Sequence, residues 1–230
     1  MVGLISGQIP GGGSGLLELL MKAGAHPYVH ISSLAIEVLA ELLPLDPAFP
    51  SRMLPLLQHR AIIPYVLHGS VPSLAAGMTS GVEFYEFENF RQNILADALG
   101  ACYVQSPKYY MDSCTSAVEE FCSSNATVEV SFQLEAALFC LTAVALIANT
   151  PSNRKGQGEG NHNEQLGRCT KALSTKPAFL PANPLALAQL NRFLGMVSKD
   201  RPVRSVLDLM LITCATVRQL VYITSFHTGT

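Results

Sequence analysis

Charge is scarce in this chain of 230 residues: Asp, Glu, Lys and Arg together make up 14 % of it, against a usual share near 25 %. Disordered chains need more charge and less apolar surface than this, so that class is excluded. Lys and Arg number 15 and Asp and Glu 17, a formal net charge of −2. The basic excess of a nucleic-acid binder is therefore missing, and no direct DNA binding is expected. No Cys-x-x-Cys pair occurs among Cys102, Cys114, Cys122, Cys140, Cys169 and Cys214, which leaves neither a zinc knuckle nor a thiol redox motif. Six cysteines in so long a chain are also too sparse for a secreted disulfide scaffold. Buried, reduced thiols in a cytosolic or nuclear protein are the expectation.

Other absences concern membranes and strands. Met1-Val2-Gly3-Leu4-Ile5-Ser6 lacks the basic start and long apolar core of a signal peptide, so the sequon Asn125-Ala126-Thr127 is read as accidental. The longest apolar run, Ala136 to Ala148, falls well short of the roughly 20 residues that span a bilayer. It is bounded by Glu135 and by Asn149-Thr150-Pro151, and no membrane insertion is expected. Runs of alternating β-branched residues are missing, as are the Asn-Gly and Asp-Gly hairpin turns.

What the chain does have is apolar residues, 49 % of it, set at helical spacing. Ile31, Leu34, Ala35, Val38, Leu39 and Leu42 form one stripe, ended by Pro44, Pro47 and Pro50. A second helix is predicted over 52–67, interrupted at Pro55 and Pro64. Residues 68–81 are rich in Gly, Ser and Pro and read as a flexible loop. Phe84, Phe87, Arg91, Ile94, Leu95, Ala98, Leu99 and Cys102 line a helix over 84–103. Tyr110, Cys114, Ala117, Val118 and Phe121 line the next, begun at Ser106-Pro107 and broken at Ser123-Ser124-Asn125. A helix over 129–149 is apolar on two faces, Phe132/Ala136/Phe139/Ala143/Ile147 and Leu134/Leu138/Leu141/Ala145, and so is expected between neighbours. The polar stretch 151–164 reads as a second flexible loop. Helices follow over 164–174, 184–198 and 202–223.

Taken in pairs, these helices start near residues 30, 84, 129 and 183, and the gaps of about 54, 45 and 54 shrink to roughly 41–45 once a loop is removed from each long gap, the period of HEAT or armadillo repeats. The predicted fold is therefore all-α: an α-solenoid of antiparallel helix pairs, about four of them, in a single segment over 1–230.

The chemical motifs read as structure. Gly11-Gly12-Gly13-Ser14-Gly15 is followed by Leu16-Leu17-Glu18, not by the lysine of a phosphate-binding loop. It reads as a turn in which Ser14 caps a helix starting at Gly15. His26 and His30 are separated by Pro27-Tyr28-Val29, which argues against one helix face carrying both as metal ligands. His59, His68, His162 and His227 form no motif with them. No Gly-x-Ser-x-Gly elbow is present. Glu83, Glu86 and Glu88 cluster at a helix start, where negative charge suits the helix dipole. Glu135, on an apolar helix, either faces a groove or pairs with an arginine such as Arg91, and the structural role is the expectation. Arg154-Lys155 is too short for a nuclear-localisation patch. No catalytic, cofactor-binding or metal-ligating residue is assigned, no cofactor is expected, and the chain reads as a non-enzyme.

Three segments in order carry a family resemblance: His26-Pro27-Tyr28-Val29-His30-Ile31-Ser32 at a helix start, Phe84-Tyr85-Glu86-Phe87-Glu88-Asn89-Phe90-Arg91 leading into a helix, and Leu134-Glu135-Ala136-Ala137-Leu138-Phe139. This succession resembles the middle repeats of the karyopherin-β (importin-β) superfamily, nearest to its transportin-3/importin-13 and exportin-5 branches. Asn191-Arg192-Phe193-Leu194-Gly195 resembles a later helix of the same repeats. The likeness spans residues 25–200 and rests on core-packing positions. The chain departs from the pattern in having no tryptophan; Phe132 stands near the place where the family often has one. The family's proteins are longer and more acidic, so an internal segment of a longer protein is expected. The resemblance implies a nuclear transport receptor that shuttles between cytoplasm and nucleus. It would bind protein or RNA–protein cargo under the control of GTP-bound Ran and meet Phe-Gly nucleoporins on its outer face. It carries over no cargo, Ran or nucleoporin contact residue. The alternatives are a HEAT-type scaffold or adaptor outside transport, and a free-standing helical domain.

Overall fold

The structure, a computed structural model, describes residues 13–68, 71–74, 81–124, 127–148, 159–175 and 184–200. The helix predicted over 202–223 and the Arg154-Lys155 pair lie outside the described residues. The described residues are helical apart from one small hairpin, and the chain divides into two compact units, Met1–Met111 and Asp112–Thr230.

The first unit begins with α1 (Gly13–Gly24) and α2 (Val29–Leu42), which pack on each other. A Cβ added to Gly24 would stand 3.0 Å from Leu56 Cδ2 and 3.4 Å from Leu39 Cδ1, so the end of α1 sits close on its neighbours because no side chain is there. A 3₁₀ turn, Leu43–Leu45, contains Pro44. Asp46 then starts α3 (Phe49–Ala61): its Oδ1 accepts from the Ala48 amide at 2.9 Å and its carbonyl from the Phe49 amide at 3.0 Å. Pro50 belongs to the first turn of α3, where its missing N–H costs nothing.

Pro55 lies inside α3. It cannot donate to the carbonyl four residues back, that of Ser51. The Tyr109 hydroxyl donates to that carbonyl instead, at 3.3 Å, so a residue far along the chain supplies the bond that proline removed.

After α3 the structure departs from the sequence reading. Helix 52–67 was expected to reach Leu67, and 68–81 to be loop. Instead β1 (Tyr65–His68) and β2 (Val71–Leu74) pair antiparallel, Tyr65 opposite Leu74 and His68 opposite Val71. Pro64 bars the helix from continuing, and Tyr65 and Val66 favour extended backbone. Pro72 is tolerated because both strands of a two-stranded sheet are edges.

A long helical stretch follows: α4 (Gly81–Phe90), one π-helical segment (Arg91–Leu95) and α5 (Ala96–Gln105). Asn93 Nδ2 donates to the Asn89 carbonyl at 3.1 Å and to its Oδ1 at 2.7 Å across the widened turn. Phe87, Arg91, Leu95, Ala98, Leu99 and Cys102 are buried, as the spacing predicted. α2 packs against α4, the π segment and α5, while α3 packs against the π segment and α5. Tyr103 meets Tyr110 edge-on, centroids 5.7 Å apart.

The second unit contains α7 (Val128–Ala148), α8 (Glu159–Thr175), α9 (Pro184–Asp200) and the larger part of α6 (Pro107–Ser123), within which the division falls. On α7 every residue from Leu134 to Leu141 is buried, matching the two-faced apolar pattern. α9 packs along α7, with Gln189 Nε2 donating to Thr142 Oγ1 at 3.0 Å. α8 is tied to α6 by Gln165 Nε2 donating to Asp112 Oδ1, Cys169 Sγ to Thr115 Oγ1 at 3.5 Å, and Arg168 Nε to Glu119 Oε1 at 2.9 Å. The first two contacts ascend both helices together, so α6 and α8 run the same way. α8 starts at Glu159, inside the stretch 151–164 read as loop. Its first turns are polar in sequence, which is why the helical start does not stand out there.

The Pro55–Tyr109 relation is testable by urea unfolding of the whole chain. Tyr109→Phe should cost about 0.5–1 kcal/mol in the natural background. The cost should vanish in a Pro55→Ala background, where the residue 55 amide reaches the Ser51 carbonyl. Equal costs in both backgrounds would show that the hydroxyl serves some other group.

Candidate interaction surface

Among the described residues, the chemistry-bearing side chains do not converge. His26 lies exposed ahead of α2, its Nδ1 accepting from the Tyr28 amide at 3.1 Å, and His30 sits exposed in the first turn of α2 with its ring 6.1 Å from that of Tyr28. His59 is exposed on α3, His68 belongs to β1, His162 to α8, and His227 lies outside the described residues. Among the described residues, no group of three or more His, Cys, Asp or Glu is placed to hold a metal ion. α1 begins at Gly13, which puts Ser14 within its first turn instead of ahead of a helix starting at Gly15. Glu83 and Glu86 are exposed on α4, and Glu88 receives a hydrogen bond from Arg91 Nη1 at 3.0 Å.

Two arginines are buried in the first unit. Arg91 stacks its guanidinium over Phe87, 5.8 Å from the ring centroid, beside the Glu88 carboxylate. Arg60, 8 % exposed, donates from Nε to Ser32 Oγ at 3.1 Å, and Ser32 donates in turn to the Gly24 carbonyl at 2.6 Å. The Arg60 guanidinium also lies over Phe90, 5.6 Å from the centroid. Its Nη2 is buried with no hydrogen-bond partner, and burial pulls its pKa down from the ordinary arginine value. The direction shows a cation held against a desolvation cost at every ordinary pH, with one hydroxyl and one ring face as compensation.

In the second unit, Glu135 is buried on α7, while the carboxylate beside Arg91 is that of Glu88. Cys102, Cys114, Cys122, Cys140 and Cys169 are all buried, as expected. Burial pushes the Cys169 thiol up to about 12, while the Thr115 hydroxyl beside it pulls the other way. A thiol so hard to ionise is a poor nucleophile.

What is left as a candidate site is surface. The stripe read on α2 as one buried face is divided. Ala35, Leu39 and Leu42 are buried with Ser32 and Ile36, but Ile31, Leu34 and Val38 are 44, 68 and 47 % exposed. α2 is apolar around too wide an arc for its packing partners to cover, and α1, α4 and α5 take the side bearing Ser32, Ile36 and Leu39. The spacing showed a wide apolar arc; which part of it meets water depends on the neighbouring helices, information that spacing does not contain.

Comparison with protein-family models, with curated proteins and with solved structures finds no match for this chain.

Two outcomes follow from the buried groups. Ser32→Ala strips Arg60 Nε of its acceptor and should destabilise the chain by roughly 2–3 kcal/mol, whereas Arg60→Met, which removes the charge as well, should cost less. Denaturant unfolding of the two variants checks the order; the reverse order would remove Ser32 from this role. For Cys169, the unfolded chain loses the thiol proton near 9.0 and the folded chain only near about 12. Stability should therefore fall as pH rises between those values. Cys169→Ala should flatten the slope in a pH series of unfolding midpoints.

Proposed function

We propose that this chain is a helical-repeat segment of a nuclear transport receptor, non-enzymatic, which binds protein or RNA–protein cargo under the control of GTP-bound Ran. The observation that carries the reading is the packing of alternate helices. α6 runs the same way as α8, and α9 lies along α7. Helices that stack on their next-but-one neighbours form the repeating unit of an α-solenoid, in which each pair contacts mainly the pairs beside it. The starts of α2, α4, α7 and α9 at Val29, Gly81, Val128 and Pro184 recur at a spacing somewhat longer than the roughly 40–47 residues of a HEAT-like repeat, with the β1–β2 hairpin set within the first interval.

The segments that resemble the karyopherin-β superfamily supply core positions here: Phe87, Phe90 and Arg91 on α4 and the π segment, and Glu135 to Phe139 on α7, are buried. That placement supports a shared manner of packing. Recognition of cargo, Ran and Phe-Gly nucleoporins would then be a matter of helix surfaces. Among the described residues, no helix is long and apolar enough to cross a membrane.

Capture of the endogenous protein from cell extract on immobilised Ran tests the reading. Retention on GTP-locked Ran and release from GDP-bound Ran is the expected result. Equal retention on both forms, or none on either with the protein intact, would overturn it and favour a helical scaffold outside transport.

A further inference from the structure

We propose that the exposed ridge of α2 docks an amphipathic helix of a protein partner whose apolar stripe is flanked by lysine or arginine. The proposal stands on α2 alone and does not depend on the transport reading. Ile31, Leu34 and Val38, spaced i, i+3 and i+7, form a ridge about 10 Å long along one side of the helix. Leu34, at its centre, is 68 % exposed. Anchors at this spacing are what a partner helix presents in return.

Charge specifies the partner further. The α2 sequence, VHISSLAIEVLAEL, has no lysine or arginine. Its charged residues are Glu37 and Glu41, both exposed. Glu37 follows Leu34 by three residues and Glu41 follows Val38 by three, so both carboxylates border the ridge. They stand one turn apart, like beside like, in the half of α2 nearest its negative dipole end, and each of these relations disfavours them in isolation. Neither forms an ion pair with a described residue. On α1 the exposed lysine, Lys22, is 3.4 Å from Glu18.

A cationic flank on the partner would relieve both repulsions while its apolar stripe covered Leu34. The same carboxylates repel anionic lipid and nucleic acid. A second copy of α2 would offer them no lysine or arginine. The apolar ridge gives affinity, and the two carboxylates select for partner charge.

The test uses the complete chain and a labelled synthetic helix about 18 residues long, with leucines at i, i+3, i+4 and i+7 and lysines on the flanks. A matched helix carries glutamates in place of the lysines. In fluorescence anisotropy the lysine peptide should bind at least roughly tenfold tighter than the glutamate peptide, and more weakly as salt rises. Leu34→Asp should weaken lysine-peptide binding roughly tenfold or more. Glu37→Lys combined with Glu41→Lys should reverse the preference between the peptides. All three positions are exposed, and circular dichroism of each variant checks that the helices remain. Unchanged preference after the charge reversal, or unchanged binding by Leu34→Asp, would overturn the proposal. So would sedimentation showing a dimer that Leu34→Asp dissolves, since a second copy would then occupy the ridge.

Discussion

The first unit is organised around a cation that has no water. Arg60, at the end of α3, reaches Ser32 on α2, and Ser32 reaches the last carbonyl of α1 at Gly24, while the ring of Phe90 on α4 covers the guanidinium. Four helices meet at one charged side chain. Gly24 has no Cβ, and α1 ends close against Leu56 and Leu39 where its carbonyl accepts from Ser32. A buried arginine is a poor source of net stability, because its desolvation offsets most of what its contacts return. Its effect is to fix registry. An alternative sliding of α2 against α3 would leave Arg60 buried without Ser32, at a cost of several kcal/mol, whereas leucines would tolerate the slip.

The rest of the core follows from a shortage of charge. With few charged residues, helices such as α7 are apolar around most of their circumference and have to be enclosed. Hydrogen bonds between helices are then supplied by small polar groups within otherwise apolar contacts, as with Thr142 and Gln189 or Thr115 and Cys169. Where the surrounding helices run out, the excess apolar surface meets solvent, and α2 is where this is plainest. The long-range repair of Pro55 by Tyr109 has the same logic: a backbone carbonyl freed by proline takes a partner from another helix.

Most of the helices were legible because burial repeats every three or four residues. Phe87, Arg91, Leu95, Ala98 and Cys102 are buried as their spacing predicts, even though a π-helical segment passes through them. The doubly apolar run on α7 announced its own enclosure. The hairpin at 65–74 was not legible, because each strand is four residues long and shows too little alternation to stand out. Its one signal was Pro64 ahead of Tyr65 and Val66. The start of α8 was hidden by a polar composition that reads equally as loop. The Arg60 cluster was invisible for a different reason. Its members are 28 residues or more apart in sequence where they bond side chain to side chain, and serine and arginine on apolar helices look like surface positions until the neighbours are in place.

The candidate surface shows the limit of pattern reading most sharply. Ile31, Leu34 and Val38 obey the same spacing rule as Ala35, Leu39 and Leu42, and nothing in the α2 sequence ranks one set above the other for burial. The choice is made by Gly24 and Ser32. The first admits α1 close to Ile36 and Leu39, and the second receives Arg60 from α3. With that side taken, the neighbouring ridge of Ile31, Leu34 and Val38 faces outward. The exposed ridge is thus a consequence of the buried cation: the contact that fixes the registry of four helices also determines which apolar residues of α2 remain for a partner.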